Sequence, residues 1–569
     1  MAEKILSPGV FQNESDQSLV QRGIVGAATA VVGPTVMGQP FVPTYVTSYS
    51  EYVSKFGETF KSGSYYYEYL TSLAAKDFFQ NGGQTLLVTR IISGSANLST
   101  YASSSVADID DDSIDNSFVL ETLAWGNQMN SAGGTEVGGA LPSGSAMNVR
   151  WEVTNVNTGS GTFTLAVRAG NDNNAQRNYL ETWANLSLDP MLPNYISRVI
   201  GDSKPVYDAT NNIINYVGSY ANASQYIRVK SISKPQVDSI DNNGNFKATQ
   251  YSGSLPALGS GSFGGAVAAT ATVQLMNENI TTTNIQGFAP ADYVTAFGIL
   301  TNKDEYQFNV LLAPGVGLDC SAASQLISTA EGRGDAIAIV GTGVYGTSIS
   351  AAANAAAGQP SNYAATYYPW VQLFSSGLGK AVWAPAPTVM GGVFAFNDQV
   401  GAEWFAPAGL NRGGVPSVLR AERKLSQSDR DTLYEANVNP LATFPGEGVV
   451  VFGQKTLQKK QTALDRVNVR RLLIALKDYI GQVGNNLVFE QNTNVTRNRF
   501  LSQVNPYLES VVQRQGLYAY KVVMDDSNNT PDVIDRNQLV GQIYIQPTKT
   551  AEFIILNFNV QPTGATFPA

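Results

Sequence analysis

The sequence contains no histidine among its 569 residues. This absence excludes Ser–His–Asp and Cys–His catalysis, as well as metal sites that need an imidazole ligand. Cys320 is the single cysteine, so the chain forms no internal disulfide, as is usual in a reducing compartment. Without a histidine base, its thiol is expected to be a small buried hydrophobe. Only chemistry based on carboxylates, lysine or the backbone stays open.

Charged residues are also scarce, at 14% of the chain against about 25% in a typical soluble domain. A surface with so few charged residues is compatible with burial of much of it in contacts with other subunits. The net charge of −9 argues against a general nucleic-acid binder. The chain has no apolar run of about 18 residues, and its start, "MAEKILSPGVF", has no signal-peptide core. We therefore expect a soluble protein made in the cytoplasm, without membrane insertion.

What the sequence does contain is a strand–helix rhythm that occurs twice. Residues 23–92 alternate strand and helix patterns, and the rhythm returns from about residue 285. Loop-rich stretches and a further strand-and-helix stretch separate the two. A chain of this length holds several domains. The pattern predicts a multidomain mixed α/β protein.

Two motifs look like ligand sites but lack the required context. "GTGVYG" (341–346) matches the GxGxxG fingerprint of dinucleotide folds, yet no acidic residue that could bind the ribose occurs between Asp335 and Asp398. The acidic run "DIDDDSIDN" has Ser113 where a calcium loop requires glycine and Val119 where it requires glutamate. A glycine-rich turn and a solvated loop are favoured. A dinucleotide-binding oxidoreductase using Gly341–Gly346 is kept as an alternative.

The clearest helix in the sequence begins near Leu464. Its apolar residues recur at i, i+3, i+4, i+7 and i+11 and form one stripe, namely Val469, Leu472, Leu473, Leu476 and Ile480. Arg466, Arg470 and Lys477 lie beside that stripe, and Arg471 lies nearly opposite it. Two interpretations stay open: a solvated basic face, or a docking face for an acidic partner surface.

The last strand pattern lies at the very end of the chain. Apolar residues at period two predict a strand over Phe553–Val560. An apolar strand without a partner there would be an aggregation hazard. A short strand-like piece, Gly9–Ser15, lies in the polar N-terminal segment. Addition of such strands to the sheet of another subunit would satisfy their backbone hydrogen bonds.

Several segments occur in an order that is informative as a whole. They are "LSPGVFQNES", "VVGPTVMGQP", "DFFQNGGQTLLVTRI", "WAPAPTVMGGVFAFND", "LYEANVNPLATFPGEGVVVFGQKTL", "DRVNVRRLL" and "NNTPDVIDRNQLVGQIYIQPTKTAEFIILNF". In this order they resemble the tail sheath proteins of contractile-tailed phages and related contractile injection systems. The stretches at 93–150 and 231–284 do not resemble that pattern and are expected to be outer insertions.

The resemblance implies a structural subunit, with no enzymatic activity, cofactor or metal. Such subunits stack as hexameric rings around a tail tube and contract to drive the tube through the host cell envelope, without nucleotide hydrolysis. The implied partners are copies of the chain, the tail tube protein, and the baseplate and tail terminator proteins, but no nucleic acid. The implied location is the tail sheath of a virion. The sheath of a bacterial contractile injection system or tailocin is an alternative, whereas a surface-layer or fibre subunit would normally carry an export signal.

The resemblance also implies a division of the chain. The expected parts are an N-terminal arm (1–22), an α/β sheath core (23–92 and 285–450), an outer insertion region rich in β-structure and loops (93–284), a C-terminal α+β domain facing the tube (451–550) and a C-terminal arm (551–569). Strands donated by neighbouring subunits complete the sheet of the C-terminal domain, and Pro8 and Gln546–Thr550 are expected to act as joints. The donated residues expected are Gly9, Val10, Phe11, Gln12, Phe553, Ile554, Ile555, Leu556, Phe558 and Val560. The tube-facing helix residues expected are Arg466, Arg470, Arg471 and Lys477.

Overall fold

A computed structural model describes most of the chain, from Thr29 to Glu552. The described residues are 29–62, 65–92, 103–105, 117–123, 136–142, 144, 146, 148–157, 159–208, 210–232, 255–256, 258–263 and 276–552. The predicted N-terminal arm and residues 553–569 of the predicted C-terminal arm lie outside them. The residues concerned are Gly9, Val10, Phe11, Gln12, Phe553, Ile554, Ile555, Leu556, Phe558 and Val560.

The strands are numbered in chain order. They are β1 (Thr29–Gly33), β2 (Thr44–Val46), β3 (Thr59–Ser62), β4 (Tyr65–Glu68), β5 (Leu86–Arg90), β6 (Ser103–Ser105), β7 (Phe118–Thr122), β8 (Val149–Asn157), β9 (Thr162–Ala169), β10 (Tyr179–Ser187), β11 (Lys204–Asp208), β12 (Ile213–Val217), β13 (Ile227–Ile232), β14 (Gly259–Ser262), β15 (Val310–Gly317), β16 (Ile337–Gly341), β17 (Ala364–Tyr368), β18 (Val371–Ser375), β19 (Lys380–Ala384), β20 (Val418–Ala421), β21 (Asn439–Phe444), β22 (Gly448–Val451), β23 (Leu517–Val523) and β24 (Gln542–Pro547).

The helices are numbered in the same way. They are α1 (Tyr49–Phe56), α2 (Leu70–Gln80), α3 (Ile196–Ile200), α4 (Pro290–Ile299), α5 (Ala322–Arg333), α6 (Ile349–Ala357), α7 (Pro387–Val400), α8 (Gln427–Glu435), α9 (Val467–Asn485), α10 (Asn494–Gln513) and α11 (Pro531–Asp535).

The core of the protein is an eight-stranded sheet in the order β2-β5-β1-β15-β16-β17-β21-β22. The six inner strands run parallel, and β2 and β22 pair antiparallel at the edges. The strand β16, "IAIVG", is buried along its whole length. Near-continuous apolar strands of this kind are required where both faces of a sheet are covered.

Helices cover both faces of this sheet. The next core strand after β1, which is β5, lies on one side of it, whereas β15 and its successors lie on the other. Right-handed crossovers then place α2, between β1 and β5, and α5, between β15 and β16, on opposite faces. Helix α7 packs against α2, and α4 packs against α5. The first pair approaches closely because Gly392 has no side chain: a Cβ there would lie 2.2 Å from Asp77 Oδ2.

A β-sandwich is inserted between β5 and β15. Its sheets have the orders β10-β9-β8-β14 and β13-β7-β6. Phe118 and Phe163 stack between them with ring centroids 5.5 Å apart. Two buried arginines of the sandwich share one carboxylate: Arg150 Nη1 lies 3.2 Å from Asp172 Oδ1, and Arg168 Nε lies 2.7 Å from Asp172 Oδ2.

The C-terminal unit consists of α9, α10, α11 and the hairpin β23–β24, with a hydrophobic core of its own. Trp404, from the loop after α7, inserts into this core, and its indole N–H donates to Arg514 O at 3.0 Å. Helix α9 belongs to both cores. Its Leu472 and Leu476 pack in the C-terminal unit, whereas Val467 and Ile474 on other sides of the helix pack in the core around the large sheet.

The predicted fold class, multidomain mixed α/β, is confirmed. The sequence pattern of "TYYPWVQLF" (366–374) predicts one strand, and this prediction is wrong. Strand β17 ends at Tyr368 and β18 begins at Val371 in a different sheet, because Pro369 has no N–H to donate to a ladder.

Candidate functional site: the base of the C-terminal segment

The last described residue, Glu552, is held by an ion pair to the start of α9. Arg466 donates from Nε to Glu552 Oε1 at 2.7 Å and from Nη2 to Oε2 at 2.9 Å. Parallel hydrogen bonds of this kind fix both the distance and the orientation of a carboxylate. Asp465 also lies 3.1 Å from Arg466 Nη1. The guanidinium therefore sits between two acidic residues.

Two neutral side chains complete the contacts of Glu552. The hydroxyl of Tyr434, on α8, donates to Oε2 at 2.8 Å, and Gln454 Nε2 donates to Oε1 at 3.1 Å. Gln454 also donates to Thr550 Oγ1 at 2.6 Å. Burial, together with the Glu552 carboxylate, raises the pKa of Tyr434, so its phenol keeps the proton that it donates. We call Arg466, Tyr434 and Gln454 with Glu552 the exit clamp.

A cavity of about 820 Å³ lies beside the exit clamp. Its wall joins residues 435–469 of the core to residues 547–552 of the C-terminal segment. The charged side chains that line it are Lys455, Lys459, Arg466, Lys549, Glu435, Asp465 and Glu552. Both signs of charge are mixed around the opening, so the cavity is not a dedicated anion or cation site.

Two of the four predicted tube-facing residues are buried. Arg471 makes two hydrogen bonds to Asp398 at the end of α7, 2.8 and 2.5 Å long, and its guanidinium lies 4.9 Å from the ring of Phe394. Arg470 donates to Asn362 O at 2.9 Å and lies over the ring of Tyr363 at 3.9 Å. Burial lowers the pKa of Arg470.

The prediction that Arg470 and Arg471 lie on an exposed basic face is therefore wrong, because both side chains are buried. Since α9 packs on two sides, these arginines face the core of the protein. Arg466 is partly exposed and belongs to the exit clamp. Lys477 is exposed, although its Nζ lies 3.2 Å from the hydroxyl of Tyr363. These four residues join α9 to the core rather than forming one free surface.

The hairpin β23–β24 forms a sheet of only two strands. Tyr520 and Val522 of β23, with Ile543 and Ile545 of β24, face inward and pack on the core of the C-terminal unit. Within the described residues, neither outer edge of this sheet is paired with another strand. Two backbone edges are therefore open beside the point where the C-terminal segment begins.

The residues predicted to act as a joint, Gln546–Thr550, make contacts within the subunit. Gln546 belongs to β24, and Thr548 donates from Oγ1 to Gln515 O at 2.8 Å. Thr550 is bonded to Gln454, as described above. These contacts hold the chain as far as Glu552. No local sequence signal identifies the partners of Glu552, because Arg466 and Tyr434 are 86 and 118 residues away.

The "GTGVYG" segment has a structural role. Gly343 O accepts a 2.9 Å hydrogen bond from the indole of Trp370, and Gly346 N–H donates to Glu422 Oε1 at 3.1 Å. Tyr345 packs between Trp370 and Trp383. The following helix begins only at Ile349. The backbone groups of this turn are engaged by the chain's own residues, which argues against the dinucleotide alternative.

The switch point of the large sheet, between β1 and β15, is also filled. A ligand of a doubly wound sheet would bind at this place. Here the side chain of Gln286 accepts from Leu70 N–H at 2.9 Å and donates to Asn277 Oδ1 at 2.8 Å. In the part of the chain that the structure describes, no cluster of three or more Cys, Asp or Glu residues could hold a metal ion. Nor is any described helix both long and apolar enough to cross a bilayer.

Comparison with protein families identifies two domains in the second half of the chain. Residues 286–457 match the phage tail sheath protein central domain, and residues 459–561 match the phage tail sheath C-terminal domain. The second match contains α9, α10, the hairpin β23–β24 and the exit-clamp residue Glu552.

Comparison with individual proteins gives the same result. The chain is 40% identical over 185 residues to the tail sheath proteins of Enterobacteria phage T4 and of Vibrio phage KVP40, which is 32% of this chain. The match spans only 28% of the length of each relative. The crystal structure of a sheath tail protein from Listeria innocua is similar in fold, with a TM-score of 0.53 and 11% identity, over 92% of this chain and 95% of that one.

Proposed function

The chain belongs to the phage tail sheath family, and on this premise we propose that it polymerises with copies of itself into stacked hexameric rings around a tail tube. Contraction of this sleeve drives the tube through the host cell envelope. The free energy stored in the extended assembly supplies the work, without nucleotide hydrolysis. In this proposal the protein is a component of the virion, and its other partners are the tube, the baseplate and the tail terminator.

The two-stranded sheet β23–β24 is the observation that carries the proposal. A lone hairpin is at best marginally stable in water, and an open edge is a template for a further strand. The inner face of this hairpin is already packed on the C-terminal unit. The hairpin therefore already has a packing layer on one face, and the partners missing from it are further strands at its edges. We propose that residues 9–12 of one neighbour and 553–560 of another pair with its two edges.

The exit clamp supports this assignment of the C-terminal arm. Strand β24 ends at Pro547, and Glu552 is then fixed to Arg466 at the start of α9. The last described residue is therefore held at the start of α9 and not along the edge of β24. A strand that starts from this fixed point reaches a neighbour in one defined direction.

We further propose that the C-terminal unit lies on the tube side of the sleeve. Lys477 keeps a tube-facing role in this proposal, since it is exposed near the middle of α9. Arg466, Arg470 and Arg471 instead attach that helix to the core, through Glu552, Asn362 and Asp398.

A chain that ends after Glu552 tests the proposal, because it keeps the exit clamp and lacks the arm. We expect a subunit with an unchanged thermal transition that forms no sleeves in electron micrographs. A point-variant pair provides the matched control. Replacing Ile554, Leu556 and Phe558 with serine changes one face of the predicted strand and should block assembly, whereas replacing Asn557 and Asn559 with serine should not. Sleeves of normal length from the truncated chain would contradict the proposal.

A further inference from the structure

The loop between α9 and α10, together with the first turn of α10, carries three exposed apolar side chains. Val488 is 57% exposed, Phe489 102% and Val495 78%. We call these three residues the apolar tip. A fully exposed phenylalanine loses the free energy of burial, so a cluster of this kind marks an interaction site when its geometry is fixed.

The apolar tip is held in place by the residues around it. Leu487 is buried in the core of the C-terminal unit, and Glu490 N–H donates to Leu487 O at 3.1 Å. Asn492 donates to Gln538 O at 2.8 Å and accepts from Arg497 Nε at 2.8 Å. These contacts fix the loop on both sides of Phe489 before any partner binds. Preorganisation of this kind lowers the entropy cost of association.

Phe489 also has an unfavourable backbone conformation. Its φ is +71°, in the left-handed region that a bulky residue rarely adopts. Glycine or asparagine would be less strained there. Strain of this kind persists where the surrounding structure enforces it, and it is concentrated at functional positions. The sequence thus places an aromatic ring at the loop apex at a cost to the free subunit.

The surroundings of the apolar tip define the chemistry of its partner. Between Lys477 and Arg497 the charged residues are Asp478 and Glu490, and amides dominate the loop. Within the loop itself, residues 486–493, Glu490 is the one charged residue, and the next cations along the chain are the buried Arg497 and the exposed Arg499 of α10. An uncharged recess on a protein surface fits an aromatic knob with an amide rim.

The position of the apolar tip selects the partner. Helix α9 has 19 residues and is about 28 Å long, and the apolar tip follows its far end, whereas Arg470 and Arg471 bond the core near its start. In the proposed function the C-terminal unit lies on the tube side of the sleeve. The apolar tip belongs to that unit and then faces the tube.

We propose that the apolar tip inserts into an uncharged apolar recess on the tail tube and is the main anchor of the sheath on that tube. This inference rests on the proposed function. Truncation of an aromatic anchor at the centre of an interface lowers the affinity of one contact about 30-fold or more. Many subunits bind one tube, so the fraction of decorated tubes should fall more steeply than the affinity of any single contact.

Phe489→Asn in the full chain is the test. Asparagine tolerates the left-handed conformation, so we expect an equal or higher thermal midpoint than in the natural chain. With tubes assembled from the tube protein of the same virus, cosedimentation and electron microscopy should show at least a tenfold loss of decorated tubes at limiting subunit concentration. Tube-free sheath polymers should form normally. Phe489→Trp should restore decoration, and Phe374→Ala, at an exposed phenylalanine of β18, is the matched control.

The outcomes separate the two proposals. Normal decoration by Phe489→Asn would overturn the assignment of the apolar tip, while sleeve formation would be unaffected. Loss of tube-free polymers in this variant would also overturn it, because the contact would then join sheath subunits. If the natural chain forms neither polymers nor decorated tubes, the proposed function itself fails.

Discussion

The carboxylate of Glu552 and the guanidinium of Arg466 are joined by two hydrogen bonds of 2.7 and 2.9 Å, across 86 residues of sequence. This pair fixes the place where the C-terminal segment leaves the folded subunit. It also explains why a partly exposed arginine stands at the start of α9, where a cation has no favourable helix dipole to face.

Glu552→Gln should loosen residues 548–552 without unfolding the subunit. The pair is partly solvated, so we expect a loss of about 1 kcal/mol, which corresponds to about fivefold faster hydrogen exchange of these amides. Mass spectrometry of the exchanged protein measures this effect. Asp532→Asn, which removes an exposed ion pair to Arg536, is the control and should change nothing measurable. Unchanged exchange in Glu552→Gln would show that the exit clamp does not hold the segment.

Arg471→Ala should destabilise the junction of the core and the C-terminal unit. The substitution leaves Asp398 without its buried partner, at a cost of about 3–5 kcal/mol. Lys477→Ala, on the exposed side of the same helix, should cost about 0.5 kcal/mol or less. Urea unfolding of the two variants measures the difference. Equal losses of unfolding free energy in the two variants would show that Arg471 is a surface residue, as its position in the sequence pattern predicts.

Asp77 makes the stability of the core depend on pH. Burial against α7 raises the pKa of this carboxyl to about 7, even though hydrogen bonds from Ser417 and Asn81 act in the opposite direction. The unfolded chain releases this proton near pH 4, so the stabilising effect of the neutral carboxyl is complete below that pH and is lost as the pH rises to about 7.

We therefore expect the unfolding free energy of the natural chain to fall between pH 4 and 7 relative to that of Asp77→Asn. The full difference is on the order of 4 kcal/mol. Thermal or urea unfolding at several pH values, taken as the difference between the two proteins, measures this slope. A difference that is independent of pH would refute the assignment. Asp532→Asn, at an exposed carboxylate, should show no such slope.

Asp172→Asn should destabilise the sandwich. One carboxylate serves both buried arginines, Arg150 and Arg168, so its loss leaves each buried guanidinium with a single carboxylate, Glu136 for Arg150 and Glu152 for Arg168. We expect a cost of about 3 kcal/mol or more, seen as a lower thermal transition and as faster proteolysis within residues 117–263. Arg177→Ala removes an exposed member of the same network, 3.3 Å from Glu152, and should have little effect. Similar losses in both variants would argue against a special role for Asp172.

The sequence identified helix α9 but not the roles of its arginines. A helical wheel assumes one apolar face toward a core and treats charged residues as solvated. This helix has two packing partners, and the planar guanidinium groups of Arg470 and Arg471 stack on Tyr363 and Phe394. The partner of Arg471, Asp398, is 73 residues away. No local pattern reports such a contact.

The predictions near prolines were similarly limited. The periodicity of the sequence predicts one strand through Pro369. Proline has no backbone N–H, so the hydrogen-bond ladder of a strand cannot continue there. In contrast, the buried strands of the large sheet, such as β16, were predictable because their composition and their flanking glycines agree. The end of β17 could not be predicted in this way. Its last residues pair with β21, whose residues are more than 70 positions away in the sequence.

The double membership of α9 has a mechanical consequence. Since one helix supplies side chains to the hydrophobic cores on both of its sides, bending the subunit between them would open both cores at once. The junction is therefore stiff, and a load applied to the core around the large sheet reaches the far end of α9 with little deformation between the two cores.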